Sequence, residues 1–160
     1  MVSSVTPDWS REEKSFFSWS PSRSLLASIR SYQAYNDRGG IWLVLRQLTV
    51  LRHRFWSIVT GADIPLNCQL GGGLLIPHPN GIVIHPDVKV GCNCLIFQQV
   101  TLGATKSGVP HIGGHVDIGA GAKVLGSILI GDDVLIGANS VVLKNVPNGK
   151  TVVGIPAEIK

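Results

Sequence analysis

Branched aliphatic residues recur at every sixth position through the second half of the chain. A period of six is typical of a parallel β-helix, in which three short strands make a coil of about eighteen residues and the aliphatic side chains stack inside. The repeat therefore predicts such a β-helix, with roughly four to five coils between residue 62 and about residue 144. Its positions are Ile64, Leu70, Ile76, Ile84, Val90, Ile96, Leu102, Ile112, Ile118, Val124, Ile130, Ile136 and Val142.

Glycine directly follows several of these aliphatic residues, as at Gly113, Gly119, Gly131 and Gly137. Because glycine tolerates backbone conformations that other residues avoid, we expect it to relieve the tight turn beside each buried side chain. A β-sandwich would instead show alternation of period two, with turn signals about every 8–12 residues. The sequence lacks that pattern, which favours the β-helix.

The repeat has two breaks. The first, at residues 76–84, contains two additional residues, and the second, at residues 102–112, contains four. Because the buried positions must stay stacked, inserted residues loop out of the wall. Loops on a rigid scaffold often carry functional groups. His78 lies in the first break and His111 ends the second, so both are candidate functional residues.

The turn that holds His78 is stiff, because Pro77 and Pro79 flank it and exclude helical or ladder geometry. Asp63 lies fifteen residues earlier, about one coil away on the same corner, where neighbouring strands are about 4.7–4.9 Å apart. A carboxylate bonded to one imidazole nitrogen fixes the tautomer and lets the other nitrogen take a proton. Asp63 and His78 are therefore candidates for a general-base pair. The alternative is a loop histidine that bonds only to backbone.

The first 60 residues are predicted to form a helical segment. Ser10 followed by Glu13 is a capping-box signal for a first helix. Residues 22–36 carry apolar side chains at helical spacing, and a third helix is expected from Ile41 to Val59. The third helix leads directly into the β-helix.

Length and composition indicate one globular unit, because the 160 residues are 44% hydrophobic and 15% charged. The β-helix domain with its C-terminal tail is assigned to residues 61–160. The net charge of +4 is spread along the chain, without the basic and aromatic runs of a nucleic-acid groove. Neither a signal peptide nor a membrane span is expected, which predicts a cytoplasmic protein. Cys68, Cys92 and Cys94 lack disulfide or metal spacing and are expected to be reduced thiols in packing positions.

Several stretches of the chain resemble the serine acetyltransferases: IGAGAKVLG at 118–126, IGANSVVLKNVP at 136–147 and VVGIPAEI at 152–159. The resemblance implies a left-handed β-helix and transfer of an acetyl group from acetyl-CoA to a hydroxyl, with L-serine as acceptor and no metal. It also implies a homotrimer whose sites lie between neighbouring β-helices. The family joins two trimers through a larger helical domain, so the short helical segment leaves a hexamer open.

The same resemblance implies roles for individual residues. His78 matches the family's catalytic base and Asp63 its carboxylate partner, so His78 would take the proton from the acceptor hydroxyl as it attacks the thioester. Lys144 is a candidate phosphate partner, with a solvated lysine as the alternative. Small residues that let the pantetheine arm lie flat, and one further lysine, would bind the cofactor: Gly103, Ala104, Ala120, Gly121, Ala138 and Lys123.

Three positions depart from the family pattern where the acceptor is expected. Pro77 stands where the family has an aspartate, Gly108 and Val109 stand where it has an Arg-His pair, and His111 is displaced by two positions. The buried ammonium and carboxylate of serine need charged partners, so a sugar acceptor stays open. The second break, GATKSGVPHIG, is similar to acetyltransferases of exopolysaccharide biosynthesis. His111, Pro77 and Val109 are the residues expected to adjoin the acceptor.

Two other classes of protein stay open from the sequence. A zinc lyase on the same fold would need three converging histidines, for which His85, His111 and His115 are candidates. A non-catalytic trimeric scaffold would keep the fold without binding CoA. The retained Asp63 and His78 argue against the scaffold.

Overall fold

The protein is described by a computed structural model that covers residues 2–15, 18–36 and 38–160. A single 3-10 turn at Trp9–Glu12 precedes two helices, α1 (Pro21–Tyr35) and α2 (Ile41–Thr60). The strands that follow are β1 (Gln69–Leu70), β2 (Val83–Ile84), β3 (Lys89–Val90), β4 (Leu95–Ile96), β5 (Thr101–Gly103), β6 (His111–Ile112), β7 (Asp117–Ile118), β8 (Lys123–Leu125), β9 (Leu129–Ile130), β10 (Leu135–Ile136), β11 (Val141–Val142), β12 (Thr151–Gly154) and β13 (Ala157–Ile159).

The strands stack into three ladders, which are the three faces of a β-helix of about five turns. Face A contains β2, β5, β8 and β11, and face B contains β1, β3, β6 and β9. Face C contains β4, β7, β10 and β12, all parallel, with the antiparallel β13 at its edge. Each strand pairs with the strand one coil later, so the chain visits faces A, B and C in turn. The predicted β-helix is confirmed, and its wall continues beyond residue 144 to β12.

All thirteen aliphatic repeat positions point into the β-helix and are buried, the most exposed being Leu70 at 7%. The residue before each of them faces outward, as in β2, where Val83 is exposed and Ile84 is buried. The stacked side chains belong to the same apolar cluster as Leu25 and Ile29 of α1. Because each coil covers the apolar side chains of the next, this column holds the three faces together.

The glycines that follow the buried aliphatic residues have a steric role, which differs from the expected one. A Cβ at Gly91 would collide with the backbone of Gly113, and a Cβ at Gly119 would lie 2.6 Å from the amide nitrogen of Ala138. Gly113 and Gly119 themselves lack a positive φ, and the left-handed conformation comes two residues later, as at Gly121 with φ of 74°. These glycines therefore permit close stacking of the coils instead of relieving a turn.

Helix α1 packs against the first coil. Arg30 donates hydrogen bonds to the carbonyl oxygens of Leu70 and Gly71 and forms a 2.8 Å ion pair with Glu12. The predicted second and third helices are confirmed, and their ends agree with the expected ends to within one residue. No helix in the described part of the chain is long and apolar enough to cross a membrane.

The prediction of a first helix capped by Ser10 and Glu13 is wrong. The cap is Asp8, whose carboxylate accepts hydrogen bonds from the amide of Ser10 at 3.1 Å and from its hydroxyl at 2.6 Å. The element that follows is a 3-10 turn of four residues. Glu12, rather than Glu13, contacts the β-helix: its carboxylate accepts a 3.1 Å hydrogen bond from the Leu74 amide. The 3-10 turn packs on the first coil through Glu12 and does not continue as an α-helix.

Cys68 and Cys94 are buried thiols, and Cys92 is half-buried. Burial raises the pKa of Cys68 and of Cys94 to about 12. Both thiols therefore stay protonated at neutral pH, since a thiolate would lose its hydration in the apolar column. Their burial agrees with the predicted packing role.

Candidate active site

His78 lies in the first inserted loop, at the corner where face C meets face A. Hydrogen bonds hold this loop on both sides. The Gly81 amide donates to the Gly61 carbonyl at 2.8 Å, and the Asn80 carbonyl accepts from the Gln99 amide at 3.0 Å. Within the described residues, the exposed imidazole of His78 makes no hydrogen bond or ion pair. A loop fixed by backbone hydrogen bonds thus presents the His78 imidazole to solvent.

A groove of about 380 Å³ opens beside His78. The start of α1 and the end of α2 form one wall, and the inserted loop forms the other. None of the lining residues is an acid, a lysine or an arginine, so its polar contacts come from hydroxyl, amide, imidazole and backbone groups. The lining residues are Pro21, Ser22, Val59, Thr60, Pro77, His78, Pro79 and Asn80.

Asp63 begins face A in the first coil, where its partner in the next coil is Val83. Its amide donates to the Ile82 carbonyl at 2.8 Å, and its own carbonyl accepts from the Ile84 amide at 3.0 Å. Asp63 and His78 thus lie at the same corner. Their side chains are not hydrogen-bonded to each other in the described part of the chain, so the pairing of these two residues stays a prediction.

The Asp63 carboxylate also acts on His53, which is buried in α2. Burial lowers the pKa of His53, while the negative charge of Asp63 and a hydrogen bond with the Ile64 backbone oppose that shift. The Nδ1 atom of His53 lies 3.1 Å from the Ser28 hydroxyl of α1. Asp63 therefore couples face A electrostatically to the helix pair.

The His78 corner recurs in each later coil. The next coil places Gln98 and Gln99 there, the one after it places Ala120 and Gly121, and Ala138 follows one coil later. The Gly121 amide donates to the Gln98 carbonyl, and the Asn139 amide donates to the Ala120 carbonyl, each at 2.8 Å. The backbone of this corner is thus fixed by hydrogen bonds between neighbouring coils.

The other predicted cofactor residues lie on face A or at its far edge. Gly103 ends β5, and Ala104 is exposed where the second inserted loop begins. Lys123 stands on face A between the two edges, and its ammonium donates to the Gln99 carbonyl at 2.6 Å and to the Thr101 hydroxyl at 3.1 Å. Face A and its two edges therefore gather Asp63, the His78 loop and all six predicted cofactor residues.

His111 lies away from this group. It is exposed on face B, in register with Lys89 on one side and Leu129 on the other. Face B is opposite the His78 corner in a three-sided coil, because that corner joins faces A and C. Val109 is half-buried and packs against the core. Within the chain His111 and Val109 are therefore not brought to His78.

The three histidines considered for zinc lie at separate places. His85 is at the corner between faces A and B, 3.8 Å from the Asp87 carboxylate, and His115 Nδ1 is 2.8 Å from Asp133 Oδ1 at the corner between faces B and C. His111 is on face B. Among the described residues, no group of three or more His, Cys, Asp or Glu side chains is placed to hold a metal ion.

Sequence reasoning missed Ser22, Thr60 and Asn80, which line the groove with His78. The sequence could have indicated Asn80, because it belongs to the first break in the repeat. Its side-chain oxygen accepts a 3.3 Å hydrogen bond from the Gln99 amide group. No sequence pattern indicated Ser22 and Thr60, since only the packing of the two helices brings the start of α1 and the end of α2 to the loop.

The sequence and the fold were compared with those of known proteins. No family model matches the sequence. The chain is 46% identical over 125 residues to a serine acetyltransferase of Synechococcus elongatus, and this alignment covers 74% of the chain and 51% of that relative. The chain belongs to the serine acetyltransferase family. It spans about half the length of the curated relatives it matches.

Solved structures of the serine acetyltransferase family share the fold. One, a serine acetyltransferase in complex with CoA, superimposes with a TM-score of 0.74 at 33% identity, covering 89% of this chain and 58% of the other. Another, the Neisseria gonorrhoeae serine acetyltransferase in complex with serine, gives 0.74 at 34% identity and covers 89% and 57%. The left-handed β-helix expected from the resemblance is confirmed.

Proposed function

We propose that the chain is an acetyl-CoA-dependent O-acetyltransferase that acetylates the hydroxyl of L-serine, with His78 as general base and Asp63 as its partner. The observation that carries this proposal is the His78 loop, in which backbone hydrogen bonds hold an exposed imidazole at the corner where Ala120, Gly121 and Ala138 lie farther along the coils. Relatives of this family have been solved with CoA and with serine.

The chemistry needs one base and one leaving thiol. An imidazole nitrogen of His78 takes the proton of the acceptor hydroxyl while the hydroxyl oxygen bonds to the thioester carbon. The C–S bond then breaks, and the same proton passes to the departing CoA sulfur. Asp63 would bond the other nitrogen and stabilise the imidazolium that forms between these steps. No covalent enzyme intermediate is required.

The cofactor would lie along face A. The short side chains of Ala120, Gly121 and Ala138 would leave room for a pantetheine arm along this corner. Lys123 uses two of its three ammonium donors within the protein, so one remains for a phosphate oxygen. Gly103 and Ala104 would border the arm at the other edge of the face.

A homotrimer completes this proposal. The site of one protomer lacks His111, which stands on face B, and a neighbour whose face B meets the His78 corner would supply it. Such a contact places the acceptor between two chains, as the resemblance to this family implies. Pro77, beside His78, would then form the apolar side of the acceptor pocket.

A sugar hydroxyl is the second candidate acceptor. The groove beside His78 is lined by hydroxyl, amide and apolar groups, without a charged side chain. The ammonium and carboxylate of serine would lose hydration there without a charged partner, whereas neutral sugar hydroxyls bond well to such groups. This groove favours a neutral acceptor unless a neighbouring protomer provides the charges.

Release of CoA thiol from acetyl-CoA, measured with L-serine and with a panel of sugars, tests the proposal. We expect acceptor-dependent turnover that falls about 10²–10⁴-fold in His78→Ala, the usual contribution of a general base. His115→Ala is the matched control, since it removes a half-buried imidazole at the distant corner between faces B and C, and should keep the wild-type rate.

The acceptors separate the alternatives. Turnover of L-serine supports the first proposal, and turnover of a sugar with none of serine supports the second. Absence of turnover with every acceptor, together with absence of CoA binding, would leave a non-catalytic scaffold. Equal rates for His78→Ala and His115→Ala would remove His78 from the chemistry.

A further inference from the structure

The outward side of α2 carries a row of apolar side chains, which we name the α2 stripe. Its members recur at alternating steps of three and four residues, so they follow one another along a single side of the helix. Their exposure reaches 82% at Ile58 and 72% at Ile41, and none is below 54%. The α2 stripe consists of Ile41, Val44, Leu48, Leu51, Phe55 and Ile58.

The opposite side of α2 packs against the protein and mixes polar with apolar residues. The buried residues of α2 are Thr49, His53 and Thr60, His53 meets Ser28 of α1, and the half-buried Trp56 packs against the core. A surface helix normally turns its apolar side toward the core and a polar side outward. Because α2 carries apolar side chains on its outward side as well, the α2 stripe is a contiguous apolar surface of the kind that marks an interaction site.

The charges around the α2 stripe are all positive. The sequence from Arg38 to Ala62 contains four arginines and no aspartate or glutamate. Arg54 borders the stripe on one side and is exposed, without a hydrogen bond or ion pair in the described part of the chain. Arg52 borders it on the other side and donates to the Ala27 carbonyl at 2.7 Å. Cations at the edges of an apolar stripe are typical of helices that bind anionic membranes.

We propose that α2 docks the protein on a bilayer surface that contains anionic lipids. The helix lies in the plane of the interface, with the α2 stripe about 5–10 Å deep at the boundary of headgroups and acyl chains. Arg54 lies beside the lipid phosphates, since its long stem lets the guanidinium reach outward from the stripe, while Arg52 keeps its hydrogen bonds to α1 and adds positive charge at the other border. Docking is peripheral, in keeping with a described chain in which no helix can cross a membrane.

A second copy of the chain is the competing cover for the α2 stripe, because steps of three and four residues also suit a coiled coil. Pairing two stripes would place the Arg52 and Arg54 borders of both copies along one seam. No carboxylate between Arg38 and Ala62 is available to neutralise them. Like charges at such borders disfavour association, whereas lipid phosphates neutralise them. The charge pattern therefore favours the lipid surface.

Flotation of the full chain with vesicles tests this proposal without any assay of activity. One set of vesicles contains equal parts of phosphatidylcholine and phosphatidylglycerol, and the other contains phosphatidylcholine alone. We expect the protein to float with the anionic vesicles and much less with the neutral ones. Added salt should release it, because salt screens the arginine contacts with the lipid phosphates.

A pair of leucine variants isolates the α2 stripe. Leu51 on the stripe is 61% exposed, and Leu129 on face B is 60% exposed. Leu51→Glu and Leu129→Glu therefore make the same chemical change at equal exposure. We expect Leu51→Glu to weaken vesicle binding by roughly tenfold or more, since it removes one buried apolar anchor. Leu129→Glu should bind as the wild type does, and circular dichroism should show both variants folded.

A second pair isolates the charge. Arg54→Gln should weaken binding to anionic vesicles about fivefold, the effect of one cation near such a surface. Lys150→Gln, which removes an exposed cation from the β-helix, should have no such effect. Failure of the wild type to float with anionic vesicles, or equal binding of Leu51→Glu and Leu129→Glu, would overturn the proposal. If Leu51→Glu instead lowers the assembly mass in sedimentation and vesicles do not bind, the stripe joins copies of the chain.

Discussion

The β-helix and α2 place their apolar side chains in opposite directions. All thirteen repeat positions of the β-helix face inward, at 7% exposure or less. The six residues of the α2 stripe face outward. The β-helix covers its own core because each coil buries the next, whereas α2 offers only one side to α1 and leaves the other open. The β-helix thus buries its own repeat positions, whereas the helical segment leaves the α2 stripe exposed.

The largest difference between the two regions is expected when an isoleucine in each is replaced by alanine and the free energy of unfolding is measured. Ile118→Ala empties a fully buried position in the β-helix, and we expect it to lower the free energy of unfolding by about 2–5 kcal/mol. Ile58→Ala makes the same change at 82% exposure on α2, and should cost less than about 0.5 kcal/mol. Urea unfolding followed by circular dichroism measures both. Equal costs would mean that the α2 stripe is already buried in the free protein.

Adding a methyl group to a glycine in each region gives the next largest effect. A Cβ at Gly91 would collide with the backbone of Gly113 in the next coil, while a Cβ at Gly39, just before α2, would meet nothing within 4 Å. We expect Gly91→Ala to lower the free energy of unfolding by about 1–3 kcal/mol through overpacking. Gly39→Ala should be close to neutral. A neutral Gly91→Ala would show that the coils can separate at this corner without cost.

Stability in the helical segment should depend on pH through His53. Burial lowers the pKa of His53 from 6.5, against the opposing charge of Asp63. The folded state therefore prefers the neutral imidazole, so this contribution to stability is present above pH 6.5 and is lost as the pH falls below it. Tryptophan fluorescence, which reports on Trp9, Trp19, Trp42 and Trp56, all before the β-helix, should show the midpoint of urea unfolding falling as the pH is lowered below 6.5.

Two variants test the assignment of this effect to His53. His53→Gln should flatten the pH profile below pH 6.5, because no titrating group remains between the helices. His111→Gln changes an exposed histidine on face B and should keep the wild-type profile. A steep profile that persists in His53→Gln would place the titrating group elsewhere.

The β-helix was predictable because stacking imposes its own spacing on the chain. Each coil must place an aliphatic side chain over the one below, so Ile64 to Val142 could be counted directly, with both breaks. The helices were predictable in extent for a similar reason. Which side of α2 is covered was not predictable, since helical spacing gives the stripe without saying what packs on it. The cap at Asp8 was missed because docking of Glu12 on the first coil ends the helical turn.

The residues of the candidate site also fall into two groups, those that lie on the repeat and those that reach it only through helix packing. Counting coils puts Asp63, His78, Ala120 and Ala138 at one corner, because each coil returns to it. The same count puts His111, which directly precedes the repeat position Ile112, on face B and away from that corner. Ser22 and Thr60 reach the groove only through helix packing. The part of the site that lies on the repeat could be predicted, and the part that depends on tertiary contact could not.

Calorimetric titration of CoA onto the protein tests most directly the claim that face A and the His78 corner hold the cofactor. Ala138→Trp puts a large ring on this corner, and Leu48→Trp puts the same ring on the outward side of α2, where Leu48 is 55% exposed. We predict that the wild type and Leu48→Trp bind CoA equally, while Ala138→Trp binds it roughly tenfold or more weakly. Wild-type affinity in Ala138→Trp would contradict the assignment.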